Sequence, residues 1–160
     1  MKPILILGLG NLLQGDDGVG CRVAQELEKR TLADTIQVID GGTPGIGLLN
    51  LLEGHQRAMI IDAAEMGMIP GEFKRLNAED VLRAGAAQRI SLHHTGITDT
   101  LALARELRIP LPEIVFFGVQ PALIDWADGL SPQVQAAVPH VIDAILSEIG
   151  QAGEVPPVHR

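Results

Sequence analysis

Tyrosine is absent from this chain, and tryptophan and phenylalanine supply only one and three of its 160 residues. Packing must therefore rest on Ile, Leu, Val and Ala. Cysteine is almost as scarce: Cys21 stands alone, so no internal disulfide can form, which fits a reducing compartment such as the cytoplasm. Positive charge is in short supply, with 12 Lys and Arg against 20 Asp and Glu, a net charge of -8 and a pI near 5.0. That balance argues against nucleic acid or an anionic membrane surface as the main partner. No apolar run approaches the roughly 20 residues of a membrane span. The opening MKPILILGLGNLLQGDD is broken by glycines and acids and has no small-residue cleavage site, so it does not read as a signal peptide. Repeats, linkers and low-complexity blocks are missing, and so is a G-x-S-x-G nucleophile elbow. The remainder is ordinary globular composition, expected to form one α/β domain over residues 1–150 with a loose tail over 151–160.

Elements alternate along the chain. Pro3 to Leu7 is a continuous apolar run, as in a strand buried on both faces. Val19 to Arg30 places Val19, Val23, Ala24 and Leu27 at helical spacing. Ile36 to Ile39 reads as a second strand ending in Asp40-Gly41-Gly42, Gly47 to Leu52 as a short helix, and Ala58 to Ile61 as a third strand ending at Asp62. Glu72 to Leu76 is strand four. Its link to strand three is too short for a helical crossover, so it is expected to run antiparallel. Thr98 to Arg108 is a helix, Glu113 to Val119 the last strand, and Ser131 to Ile149 a closing helix capped by Ser131 and interrupted or kinked at Pro139. The pattern implies a mostly parallel sheet with helices on both faces. Ligands of such sheets bind beyond the carboxyl ends of the strands, where strand order reverses. Strand one is expected between strands two and three, which brings GLGNLLQGDDG beside DAAEMG.

The stretch GLGNLLQGDDGVG, Gly8 to Gly20, invites comparison with a dinucleotide loop. Gly8 and Gly10 fit G-x-G-x-x-G, and Asp40 stands near the place of a ribose-binding acid, but the third glycine position is Leu13. Asp16 and Asp17 also occupy the helix N-terminus, where a pyrophosphate would sit. Two unit charges about 4 Å apart repel by roughly 1 kcal/mol in water and by more near protein, so a carboxylate pair there suits a cation rather than a phosphate. The plainer role, a turn or N-cap residue, is expected for one of the two acids and need not hold for both.

Three groups come from segments expected to converge: Asp17 after strand one, Asp62 at the end of strand three, and His93 in ISLHHTG. An Asp/Asp/His set can bind a divalent cation and keep positions open for water or substrate. A bound metal polarises a carbonyl and lowers the pKa of its water, a route to amide hydrolysis. The plainer readings are a strand-end cap for each Asp and a surface or core position for the His. Cys21 falls one turn inside the first helix and reads as packing. Asp40 with Gly41 and Gly42 lines a cleft floor or forms a structural turn. His94 stands beside the third group, whereas His55, His140 and His159 lie away from the set.

Taken together, GLGNLLQGDDGVG, VIDGGTPG, IIDAAEMGMIPG, SLHHTGITDTLALA and FFGVQP, in this order, resemble the [NiFe]-hydrogenase maturation endopeptidases over nearly the whole chain, Ile4 to Ile149. The resemblance implies a three-layer α/β/α fold with a mixed, mostly parallel five-stranded sheet of order 2-1-3-5-4, strand four antiparallel. It implies removal of a C-terminal extension from a hydrogenase large-subunit precursor after nickel insertion, with the cut after a His or Arg. Asp17, Asp62 and His93 match the family's metal-contacting residues. Asp40, in the DGG motif with Gly41 and Gly42, matches a position that helps select the substrate. The nickel is expected to arrive with the substrate, no metal being held permanently, and the chain is expected to work as a cytoplasmic monomer. A non-enzymatic nickel-sensing chaperone of hydrogenase assembly would use the same residues, and a dinucleotide-binding protein is the more distant alternative.

Overall fold

The computed structural model of the chain describes residues 3–89, 91 and 96–153. Five strands, β1 (Ile4–Leu9), β2 (Ile36–Gly42), β3 (Arg57–Ala63), β4 (Phe73–Asn77) and β5 (Glu113–Val119), form one sheet in the order β2-β1-β3-β5-β4. All neighbours are parallel except β4, which pairs antiparallel with β5 from Phe73 opposite Val119 to Asn77 opposite Val115. The expected order and the antiparallel fourth strand are both present. The helices are α1 (Val19–Glu28), α2 (Leu48–Leu52), α3 (Ala78–Ala86), α4 (Ile97–Glu106) and α5 (Pro132–Gly153).

Alternation along the strands sorts the core into two layers. Ile6, Met59, Ile61, Val115 and Phe117 face α1 and α5, meeting Val19, Val23 and Leu27 of the first and Val134, Val138, Val141, Ile142 and Ile145 of the second. Leu5, Leu7, Ile60, Ile114 and Phe116 face the other way, toward Leu48, Leu52, Val81, Ile97 and Leu101 of α2, α3 and α4. Each such aliphatic side chain taken fully out of water contributes about 1.5–3 kcal/mol, and aliphatic groups dominate both layers, as the shortage of aromatics requires.

Two elements differ from the sequence pattern. The helix α5 runs through Pro139 without interruption. The proline removes one backbone donor, but 22 residues of helix and buried side chains on both sides of it, from Val134 to Ile145, hold the rod together. The helix α3 escapes the periodicity altogether. It is short, buries only Val81, and is set by a capping box in which the Asn77 side chain accepts from the Asp80 N–H and Asp80 accepts from the Asn77 N–H. Residues 151–153 of α5 extend into the stretch expected to be tail, and residues 154–160 lie outside the described residues.

A candidate active site at the carboxyl edge of the sheet

The parallel strands β1 and β3 end side by side, with Gly8 opposite Ile61. The chain leaves β1 through Gly10, whose φ of +131° is open to glycine and whose missing Cβ leaves room for the Asp17 carbonyl, 1.9 Å from where that carbon would stand. It then makes a 3-10 turn, Gly15–Gly18, before entering α1. Helix α1 is drawn tightly onto the sheet because Gly20 has no side chain: a Cβ there would lie 2.1 Å from the Ile61 carbonyl oxygen and 2.4 Å from that of Leu9. The turn itself packs against β3. This loop folds back on its own backbone and fills the helix N-terminus with carboxylates, so it offers no cradle for a pyrophosphate.

Asp16 and Asp17 are both fully buried, and they do different things. Both Asp16 oxygens are engaged by the segment that follows β5. Its Oδ2 accepts from the N–H groups of Ala122 (2.8 Å) and Leu123 (3.0 Å) and from the Ser131 hydroxyl (2.8 Å), and its Oδ1 accepts from the Ser131 N–H (2.7 Å). The Ser131 hydroxyl thus donates to Asp16 at the entrance to α5. Asp17 accepts from the Asn11 N–H through Oδ2 at 2.9 Å, a bond within its own loop. Neither acid is an N-cap: the cap positions of the turn and of α1 are Gln14 and Gly18, and Asp16 is held instead by partners in another loop.

Asp62 lies within β3, also fully buried, opposite Gly118 of β5. Strand alternation puts it on the face that carries Ile60, toward α2, α3 and α4. Just past it, Glu65 and Ser91 exchange both backbone bonds, Glu65 N–H to Ser91 O at 2.9 Å and Ser91 N–H to Glu65 O at 3.0 Å. The serine that opens SLHHTG is therefore tied to the strand end that follows Asp62. The far flank, Gly96, begins α4 with φ +72° and stands beside Gly45 of the β2–α2 connection. His93 and His94 lie outside the described residues. Among the described residues, no three His, Cys, Asp or Glu side chains gather as a metal site. Asp17 thus stands in the turn that packs against β3, Asp62 lies near the carboxyl end of that strand, and the residue two before His93 is bonded just past it.

Asp40 is exposed at the end of β2 and accepts from the Gln25 amide at 3.0 Å. With Gly42, Gly10, Asn11, Leu12 and Thr43 it lines a cleft of about 350 Å³. Gly41 does not line it. A Cβ on Gly41 would meet Leu7 Cδ1 at 2.7 Å, so this glycine serves packing against β1. Cys21 borders the same cleft from below, and its thiol approaches the Gly10 carbonyl at 3.4 Å. Burial first, then the neighbouring Asp40, push the thiol pKa above its usual range, which disfavours the thiolate and fits a packing role. A larger cavity of about 470 Å³, between Leu49–His55 and Ile109–Pro112, lies at the opposite edge, where β3 and β5 begin. His55 there bonds the Leu52 carbonyl and Gln37, and His140 is exposed on α5.

Sequence reasoning gave no role to Gln120, the residue after β5. It is buried and staples the loop beyond β3, accepting from the Met66 and Met68 N–H groups at 2.8 and 3.1 Å and donating to Glu65 at 2.7 Å. A glutamine placed directly after the apolar run EIVFFGV and before Pro121 was the signal available, since a buried amide must find partners.

Comparison with known proteins agrees with this fold. A family model described as hydrogenase maturation protease, HycI, matches residues 21–148. The hydrogenase expression/formation protein HupD of Thiocapsa roseopersicina is 36% identical over 154 residues, covering 95% of this chain and 70% of its own length. Among solved structures, the hydrogenase maturating endopeptidase HybD from E. coli superposes with a TM-score of 0.82 at 32% identity, covering 94% of this chain and 93% of that one. The [NiFe] hydrogenase maturation protease HybD from Thermococcus kodakarensis gives 0.74 at 31% identity, covering 90% and 97%. Matched along most of its length by model, sequence and fold alike, the chain belongs to the hydrogenase maturation protease family.

Proposed function

We propose that this peptidase removes the C-terminal extension of a [NiFe]-hydrogenase large-subunit precursor, and that it recognises the nickel already inserted there through Asp17, Asp62 and His93. The observation that supports the reading is that Asp17 and Asp62 are both fully buried, the first in the turn that packs against β3 and the second near the carboxyl end of β3. The flank of SLHHTG is bonded at that same edge. Carboxylate oxygens with an imidazole nitrogen make a donor set suited to a divalent first-row metal that keeps its other ligands. In this reading the nickel is part of the substrate, held by the precursor's own cysteines, and the enzyme holds no metal of its own. Asp17 and Asp62 dock the metallated precursor and Asp40 meets residues near the cut from the cleft floor; the attacking water loses its proton either through the substrate's metal, which lowers its pKa, or to one of the two docking carboxylates acting as general base. Binding energy is then available only for the loaded precursor, which makes cleavage a check on nickel insertion.

The test is the mass of the large subunit before and after incubation of the nickel-loaded precursor with purified enzyme. Loss of a C-terminal peptide is expected. A stable complex with the precursor left intact would favour a nickel-sensing chaperone instead.

A further inference from the structure

We propose that Asp16 is a positioning residue for precursor docking: its buried carboxylate holds the segment 121–131 so that the exposed Leu123 and Trp126 stand beside the Asp17 turn as an apolar contact surface for the precursor. This rests on the function proposed above. The clamp is made in both directions. Asp16 receives the N–H groups of Ala122, Leu123 and Ser131 and the Ser131 hydroxyl, while its own N–H donates to the Leu123 carbonyl at 2.9 Å. A second tie runs from the Ala127 N–H to the Leu13 carbonyl at 3.2 Å, where Gln14 and Ala127 form an isolated bridge. The loop after β1 and the loop after β5 are therefore one body, and the body that carries Asp17 also carries Leu13, Leu123 and Trp126.

Those three side chains are 61%, 53% and 71% exposed. Exposed large apolar residues on one rigid loop pair, next to a cleft, mark a surface for a protein partner more readily than scattered ones do. The occupant is the precursor segment flanking the cut, because the patch is tied by Asp16 and by the Leu13–Ala127 bond to the turn that carries Asp17. Its chemistry follows from the neighbours: Asp125 and Asp128 are exposed on either side of Trp126, so the patch fits an apolar stretch with basic rather than acidic flanks.

The chain's one tryptophan makes the proposal directly readable. The variants are Asp16→Asn and Ser131→Ala, which weaken the clamp, and Trp126→Ala and Leu123→Ser, which leave the clamp and strip the surface. In wild type, binding of the nickel-loaded precursor is expected to shift Trp126 emission to the blue. Asp16→Asn is expected to lower the Trp126 anisotropy of the free enzyme and to raise KM about tenfold while kcat stays within about twofold. Ser131→Ala moves the same readouts less, and it keeps the test decisive should Asp16→Asn fail to fold. Trp126→Ala raises KM with the clamp intact. Wild-type anisotropy and KM in both clamp variants would overturn the proposal, as would a loss of kcat at constant KM, which would put Asp16 in the chemistry itself. Unchanged KM in both Trp126→Ala and Leu123→Ser would overturn the docking surface. Absence of cleavage by the wild-type enzyme would count against the protease reading alone, since the emission shift and the anisotropy still decide this one.

Discussion

Two neighbouring aspartates divide their labour by the company they keep. Asp16 is saturated by donors from a distant loop, whereas Asp17 keeps a bond to Asn11 in its own loop. Removing Asp16 leaves three partly buried N–H donors without their acceptor, so Asp16→Ala is expected to destabilise the fold by about 1–3 kcal/mol, measurable by urea denaturation. Asp17→Ala and Asp62→Ala are expected to reduce precursor processing by about a hundredfold or more while leaving a folded, cooperatively melting protein. Parallel assays of His93→Ala and His94→Ala assign the third group: the first should match the aspartate variants and the second should stay close to wild type. A dead His94→Ala beside an active His93→Ala would reverse that assignment. The sequence could not divide the two aspartates, because the partners of Asp16 lie 106 to 115 residues further along the chain. Motif spacing shows where an acid stands, and only the fold shows what meets it.

At the scale of elements, the site depends on how closely α1 is drawn against the sheet. Gly20 sets that distance by leaving room for the Ile61 and Leu9 carbonyls. Gly20→Ala would force the helix away from β1 and β3 and is expected to cost about 3 kcal/mol or more, with a matching loss of processing as the Asp17 turn shifts from Asp62. Retention of the wild-type thermal midpoint and activity in that variant would refute the packing argument. The strands were readable because buried parallel strands are continuous apolar runs: Glu113–Val119 coincides with the EIVFFGV run, and the short link after Asp62 disclosed the antiparallel β4. The helix α3 was not readable by period, since one buried valine makes no stripe, though its Asn77-to-Asp80 capping box is written in the sequence. Pro139 misled in the other direction, because packing along α5 outweighs one lost donor.

Across the whole molecule, the edge away from the site is held by charge. Arg57 at the start of β3 and Arg75 of β4 both donate to Glu148 of α5, and the Arg57 and Glu148 side chains are 14% and 13% exposed. Arg75 first, and then Arg57 against the opposing effect of burial, hold the Glu148 carboxyl below its usual range. A depressed carboxyl contributes stability above its unfolded value of 4.5, and that contribution is lost as pH falls through the lower folded value. Glu148→Gln is therefore expected to lower stability near neutral pH by about 2–3 kcal/mol and to flatten the acid limb of the stability curve, while site chemistry at the opposite edge continues. Denaturation curves for wild type and variant from neutral pH down to acid check this, and parallel curves with an unchanged acid limb would refute it. The molecule thus separates a fastened base from a working rim, where Asp17, Asp62 and the precursor are proposed to meet.

The measurement that tests this meeting most directly is cleavage of the same precursor with and without its nickel, followed by intact mass under matched conditions. Wild-type enzyme is predicted to shorten the nickel-loaded subunit at its C-terminus and to leave the nickel-free subunit whole, and Asp62→Ala is predicted to shorten neither. Equal trimming of loaded and empty precursor, or undiminished trimming by Asp62→Ala, would contradict the account.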